Sequence, residues 1–244
     1  MADKPLNLIV DYKTSEKEVN RLMSFGLNLI PTDRVPSLYE AVDGHPDLQF
    51  FRINGKIIAQ KDISEHQKER LHKLGASVTL GNSSLSLPYP SNIPYNALLA
   101  PDLLMHRLDA TDQVILEEVQ ELKKTREIML INVRQGYSRC SCAYVGKNAY
   151  ITEDLVMAEK LLSLGKQVFY QKHSNVHLEG FDFGFIGGAI SLISIEGEDL
   201  VLVSGSLDSY AYGKELKIFF SQRNIRYECI CGGKLMDRGT MISF

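Results

Sequence analysis

At 244 residues, of which 44% are hydrophobic, the chain is long and apolar enough to bury a sizeable core, and a disordered segment is excluded. A formal charge of −3, with acidic and basic residues interspersed, provides no long-range field to recruit nucleic acid or an anionic membrane, so neither is an expected partner. No apolar run approaches the roughly 20 residues of a membrane-crossing helix, and the start MADKPLNLIVDYK lacks the basic and apolar regions of a signal peptide, so a cytoplasmic location is expected.

In chain order, LNLIV predicts a strand, TSEKEVNRLMSFG a helix ending at Gly26, and LNLI a second strand. The stretch from Gly44 to Asp62, GHPDLQFFRINGKIIAQKD, reads as two strands joined by an Asn54-Gly55 turn; a helix then ends at Gly75 before ASVTL. NALLA, a Pro101-Asp102 turn, LLMHRL, the helix TDQVILEEVQELKK and the strand EIMLI repeat that order. Gly136 to Asp154, GYSRCSCAYVGKNAYITED, aligns with Gly44 to Asp62 without a gap, and its helix ends at Gly165 before KQVFY. AISLISIEG, DLVLVSG, a helix near YGKELKIFFSQ and IRYECI follow, and LMDRGTMISF is a leading strand without a helix.

A short acid precedes each helix, where a carboxylate accepts the free N–H groups of the first turn. These aspartates, Asp11, Asp62, Asp109, Asp154 and Asp208, recur at intervals of 51, 47, 45 and 54 residues, and wrapping through the chain ends from Asp208 to Asp11 gives 47. The predicted fold class is therefore α/β: a single domain over 1–244, a five-bladed propeller of ββαβ repeats closed by the N- and C-terminal segments, with units at 235–244 joined to 1–31, 45–81, 94–132, 136–171 and 185–231. A doubly wound parallel sheet also alternates strands and helices, but a hairpin before each helix argues against it.

The four cysteines form two Cys-x-Cys pairs, Cys140 with Cys142 and Cys229 with Cys231. Side chains two apart share a strand face, but zinc knuckles use Cys-x-x-Cys turns, so buried thiols are expected, with no metal and no cofactor. His66, His72, His106 and His173 lack metal spacing. No phosphate-binding glycine loop, nucleophile elbow or dinucleotide fingerprint occurs.

Five ββαβ units, together with HLEGFDFGFIGGA, the run Gly136 to Cys142 and the C-terminal DRGTMISF, resemble the pentein, or guanidine-modifying, superfamily. That resemblance implies a cysteine near the C-terminus attacking a guanidinium carbon, a histidine moving protons, and two carboxylates gripping the guanidinium. The matching C-terminal segment runs Gly239, Thr240, Met241, Ile242, Ser243, so Met241 stands where the nucleophile belongs. Glu179-Gly180-Phe181-Asp182 is similar to the Glu-Gly-Gly-Asp of the deiminases, and His177-Leu178-Glu179 overlaps the superfamily's His-x-acid pattern.

In such a ring the start of each leading strand lines the central site. The internal alignment makes Leu48, Cys140 and Met241 equivalent, which suggests Cys140 as a relocated nucleophile whose pKa Arg139 would lower, with His45 as base. The candidate catalytic residues are Cys140 and His45; the candidate ligand-binding residues are Asp47, Arg139, His177, Glu179, Asp182, Asp237 and Arg238. The leading expectation is a protein that binds a small cationic, guanidino-type ligand in the central cavity without the usual C-terminal cysteine. The alternative is a cysteine-dependent hydrolase or amidinotransferase using Cys140.

Overall fold

Tight turns punctuate the chain where the sequence requires them. In the computed structural model, which describes residues 5–172 and 175–244, Asn54 and Gly55 take φ of 51° and 75°, the left-handed pair that a two-residue hairpin needs. Gly26, Gly75 and Gly165 end their helices at φ of 76°, 90° and 71°, as C-terminal caps do.

The elements follow the predicted order. The first unit contributes β1 (Asn7–Val10), α1 (Glu16–Met23) and β2 (Asn28–Pro31). The second contains a one-turn helix α2 (Pro46–Gln49), β3 (Phe50–Ile53), β4 (Lys56–Ala59), α3 (Glu65–Lys73) and β5 (Ser77–Leu80). The third contains β6 (Leu98–Ala100), β7 (Leu103–His106), α4 (Gln113–Leu122) and β8 (Met129–Asn132). The fourth contains a second one-turn helix α5 (Ser138–Ser141), β9 (Cys142–Tyr144), β10 (Ala149–Thr152), α6 (Leu155–Ser163) and β11 (Gln167–Tyr170). The fifth contains β12 (Ile190–Ile195), β13 (Glu198–Val203), α7 (Gly213–Gln222) and β14 (Tyr227–Cys229), and β15 (Ile242–Ser243) ends the chain.

These elements form a mixed α/β fold of five three-stranded sheets, ordered β15-β1-β2, β3-β4-β5, β6-β7-β8, β9-β10-β11 and β12-β13-β14. In every sheet the middle strand pairs antiparallel with the leading strand and parallel with the third. In the four internal sheets a hairpin joins the antiparallel pair, and in all five the helix makes the crossover that a parallel pair requires. The wrap through the chain ends is real: β15 pairs with β1 at Leu8↔Ser243 and Ile9↔Ile242. Apolar helix faces close the core against the sheets, with Ile115, Val119 and Leu122 of α4 packed in one cluster with Phe51, Ile58 and Leu104. Among the described residues, no helix is long and apolar enough to cross a membrane.

Two expectations are corrected. Of the five aspartates, only Asp154 caps its helix, accepting the Met157 N–H at 2.9 Å. Turns separate the other strand ends from their helices: Asp109 and Asp208 lie in 3₁₀ turns, Leu108–Ala110 and Leu207–Ser209. The caps are Ser15, which makes a reciprocal pair with Glu18, then Ser64 and Asp112, while α7 starts at Tyr212 with no side-chain cap. The second correction concerns register. Phe51 opposite Ile58, Ala143 opposite Ile151 and Ile242 opposite Ile9 are equivalent pairs. Counting back makes Met241 equivalent to Phe50 and Cys142, and Gly239 equivalent to Leu48 and Cys140. Met241 packs in the core with Leu8, Val10 and Leu202.

The cap assignment is open to test. Asp154→Ala is expected to destabilise the chain by about 1 kcal/mol, and Asp62→Ala, at an exposed uncapping position, by less than about 0.5 kcal/mol, both read from urea denaturation midpoints.

Candidate functional site

The leading strands all begin at one buried polar centre. The residues just before them come from different units: His45 at the start of α2 and Asp47 on it, Asn96 before β6, Arg139 and Cys140 on α5, Gly187 and Gly188 before β12, and Asp237 to Thr240 before β15. His45, Asp47, Asn96, Cys140, Asp237 and Asp11 are all at most 4% exposed.

Asp47 is held from three sides. Its Oδ2 accepts the Thr240 N–H at 2.8 Å and the Cys140 thiol at 3.2 Å, while Oδ1 is buried without a partner. Asn96 ties three units together. Its Oδ1 accepts the N–H groups of Arg139 and Cys140 at 3.1 and 3.2 Å, and its Nδ2 donates to the Asp47 carbonyl at 3.1 Å and lies 3.2 Å from the Cys140 sulfur. The His45 ring lies between two further acids, with Nε2 3.8 Å from Asp11 and Nδ1 3.8 Å from Asp237. Neither ring nitrogen has a hydrogen-bond partner among the described residues.

Small residues let these groups approach. A Cβ on Gly188 would meet the Asp237 Oδ1 at 1.8 Å, and Gly239, at φ 66°, has room for no side chain beside the His45 Cβ at 2.7 Å. Asp237 also accepts the N–H groups of Phe185 and Gly239 at 2.8 and 3.1 Å. The ring of Phe185 in turn stacks on Tyr137, three residues before Cys140, with centroids 5.9 Å apart.

Burial governs the electrostatics. It pushes the carboxyls of Asp11 and Asp237 above the ordinary value of 3.8, outweighing the attraction of His45 and the backbone N–H groups; for Asp237 the charge of Asp47 adds to the rise. Burial also lifts the Cys140 thiol well above its ordinary range, with Asp47 and Asp237 raising it further. The expected lowering of the Cys140 pKa by Arg139 is therefore overturned, because the two neighbouring carboxylates and desolvation outweigh the one guanidinium. The Arg139 guanidinium is itself driven down by burial against the support of Asp47 and Cys140.

The structure brings His45, Asp47, Arg139, Cys140 and Asp237 together as the repeat suggested. It does not bring in the others. His177, Glu179 and Asp182 are exposed, on a segment anchored by backbone bonds from His177 N to Leu235 O and from Asp237 N to His177 O. The Arg238 guanidinium turns to Glu18 at 3.4 Å. His106 is a buried structural residue between Thr111 and the Gly136 carbonyl, and burial lowers its pKa to about 4. His173 lies outside the described residues. Asn96 and Asp11 were missed as site residues, although Asn96 occupies in the third unit the place just before a leading strand.

Among the described residues, His45, Asp47 and Cys140 are the one set of three or more His, Cys, Asp or Glu groups able to hold a metal, with ligand atoms within 4.8 Å of one another. The four cysteines do not converge, since Cys140 and Cys142 are buried and Cys229 and Cys231 half-buried, all as free thiols.

A family model described as a family of unknown function (DUF6873) matches residues 9–242. No curated protein matches the sequence. Among solved structures, the fold is similar to an inosamine-phosphate amidinotransferase from Streptomyces griseus, with a TM-score of 0.54, 11% identity, and 97% of this chain and 90% of that chain covered. It is similar to an amidinotransferase of the saxitoxin biosynthetic pathway from Microseira wollei, with a TM-score of 0.54, 11% identity and coverage of 93% and 89%. It is also similar to a DDAH from Pseudomonas aeruginosa in complex with citrulline, with a TM-score of 0.52, 9% identity and 91% of each chain covered. These likenesses identify the fold as that of the pentein, guanidine-modifying enzymes.

Thiol exposure checks the site geometry. Iodoacetamide at neutral pH is expected to modify half-buried Cys229 and Cys231 first and to spare Cys140 in the native chain, whereas all four react in urea; mass spectrometry of peptides reads the order.

Proposed function

The chain belongs to the DUF6873 family, a family of unknown function, and on that premise we propose that it binds a small organic cation of the guanidino class at the buried acidic centre. One observation carries this reading. The carboxylates of Asp11, Asp47 and Asp237 are buried around His45, and Asp47 Oδ1 and both His45 nitrogens have no hydrogen-bond partner. Unpaired buried charge is unfavourable, and a planar guanidinium offers five N–H donors and a delocalised charge that suit such a set. The citrulline held by the similarly folded DDAH supports a ligand of this general kind by analogy of fold alone.

In this reading the five sheets close as a ring of one domain, and the starts of the leading strands form its axial site. Asp47 grips the guanidinium through Oδ1, with its other oxygen pinned by Thr240. Asp237 and Asp11 complete the negative field, and His45 accepts a hydrogen bond from the ligand. Cys140 serves as a neutral thiol donor that orients Asp47, which makes the protein a binder without the usual C-terminal cysteine.

A second reading has one observation in its favour. His45, Asp47 and Cys140 stand within one ligand's reach of one another, the grouping that nucleophile and base require. A bound cation would lower the thiol pKa and activate Cys140 as the nucleophile of a hydrolase or amidinotransferase.

Calorimetric titration with methylguanidine distinguishes these readings. Saturable binding is expected, weakened by about tenfold or more in Asp47→Asn, a loss on the scale of one charge-assisted bond. Affinity should fall as pH is lowered through the raised range of Asp11 and Asp237, above 3.8, because the ionised carboxyls hold the cation and the protonated ones do not. Absence of binding by the native chain would overturn the proposal. A covalent adduct of chloroacetamidine on Cys140, accelerated by no denaturant, would favour the second reading.

A further inference from the structure

Along the leading strands, from Arg139 and Thr240 before their starts to Asn54, Gly55 and Pro101 beyond their ends, runs a cavity of about 550 Å³, with residues from β3, β6, β9, β12 and β15 in its wall. That volume is in the range of small-molecule sites, roughly 300–1,000 Å³. Its charge has one sign. Arg52, Arg126 and Arg139 line it, and no aspartate or glutamate does. None of the three guanidinium groups has a hydrogen-bond or ion-pair partner among the described residues, and the Arg139 Nε is buried as well as unpartnered.

Water reaches the exposed Arg52 and Arg126, so the cost of an unbalanced charge falls on Arg139, whose Nε is buried. Arg139 stands between Asp47 on the side of the acidic centre and Arg52 on the side of the cavity; the first supports its charge and the second opposes it. Five arginines elsewhere are ion-paired, Arg21 with Glu228, Arg34 with Asp43, Arg107 with Asp109, Arg226 with Glu198 and Arg238 with Glu18, whereas Arg70 and Arg223 donate to backbone carbonyls and Arg134 is exposed. Leu99, Leu192 and Ile242 add apolar wall between the cations.

We propose that this cavity is a second ligand site, for a small molecule that carries a carboxylate or phosphate on an apolar body. The oxyanion bridges Arg52, Arg126 and Arg139, whose planar forks match carboxylate and phosphate oxygens two at a time. The apolar body lies along the leucine and isoleucine wall. The cavity borders the acidic centre at Arg139 and Thr240, but it takes a ligand of the opposite charge through Arg52 and Arg126, which lie outside that centre.

The test titrates the native chain with hexanoate and with hexyl phosphate at constant ionic strength, with hexylamine as the cationic control, by calorimetry. Saturable binding of at least one anion and none of hexylamine is expected, the tighter anion identifying the head group. The double variant Arg52→Gln with Arg126→Gln changes two exposed side chains and should keep the melting temperature of the unliganded chain while weakening the anion by about tenfold or more, as loss of bidentate charge-assisted bonds does. Failure of both anions to bind at millimolar concentration, or equal binding by the variant, would overturn the proposal. Loss of methylguanidine binding with anion binding intact would count against the acidic-centre reading alone.

Discussion

Asp47 is a buried carboxylate bonded by residues of three other units, and the rest of the centre is arranged around it. One of its oxygens is fixed by a backbone N–H from the last strand segment and a thiol from the fourth unit. Its own backbone carbonyl is taken by Asn96 of the third unit. A bond from each of three units to one residue makes the relative placement of those units part of the same constraint. Glycines at 188 and 239 are required on the remaining sides because any side chain would strike Asp237 or His45.

Electrostatics follow from that placement. In a water-poor centre each further acid is harder to ionise than the last, so Asp11 and Asp237 shift upward and the Cys140 thiol shifts upward with them. The same burial that raises the two acids makes Cys140 a poor thiolate. Binding and nucleophilic attack therefore pull apart here, and a cation is the species that would reconcile them. Arg139 meets the supporting charge of Asp47 and the opposing charge of Arg52, and the two proposed ligands differ in sign accordingly.

The parts of this design legible in the sequence are those set by local chemistry. Asn54-Gly55 and the helix-ending glycines declare their backbone conformations, and the recurrence of hairpin, helix and strand predicts the pairing of β15 with β1 across the chain ends. The aligned runs Gly44 to Asp62 and Gly136 to Asp154 point His45, Asp47 and Cys140 to one centre from segments far apart in the chain, and the structure places them together. Depth was not legible. The His177 to Asp182 motif matches a pattern of residue types, yet it forms an exposed turn, and Asp11 looked like a cap although it is buried against His45. Register was also beyond reach: the hairpin loop holds Gly146, Lys147 and Asn148, all at positive φ, where the second unit uses only Asn54 and Gly55. A gap-free alignment cannot see that extra residue, and counting through the chain ends placed Met241 two positions from its true equivalent.

The central claim is that acids crowded in this centre carry unbalanced charge that a guanidinium can balance. Carbon-detected NMR of the aspartate carboxyls, followed through a pH titration with and without methylguanidine, tests it most directly. The account predicts that Asp11 and Asp237 titrate above 3.8 in the free chain and move downward when the cation is bound. Ordinary titration of both acids in the free chain, or curves unmoved by the saturating cation, would contradict it.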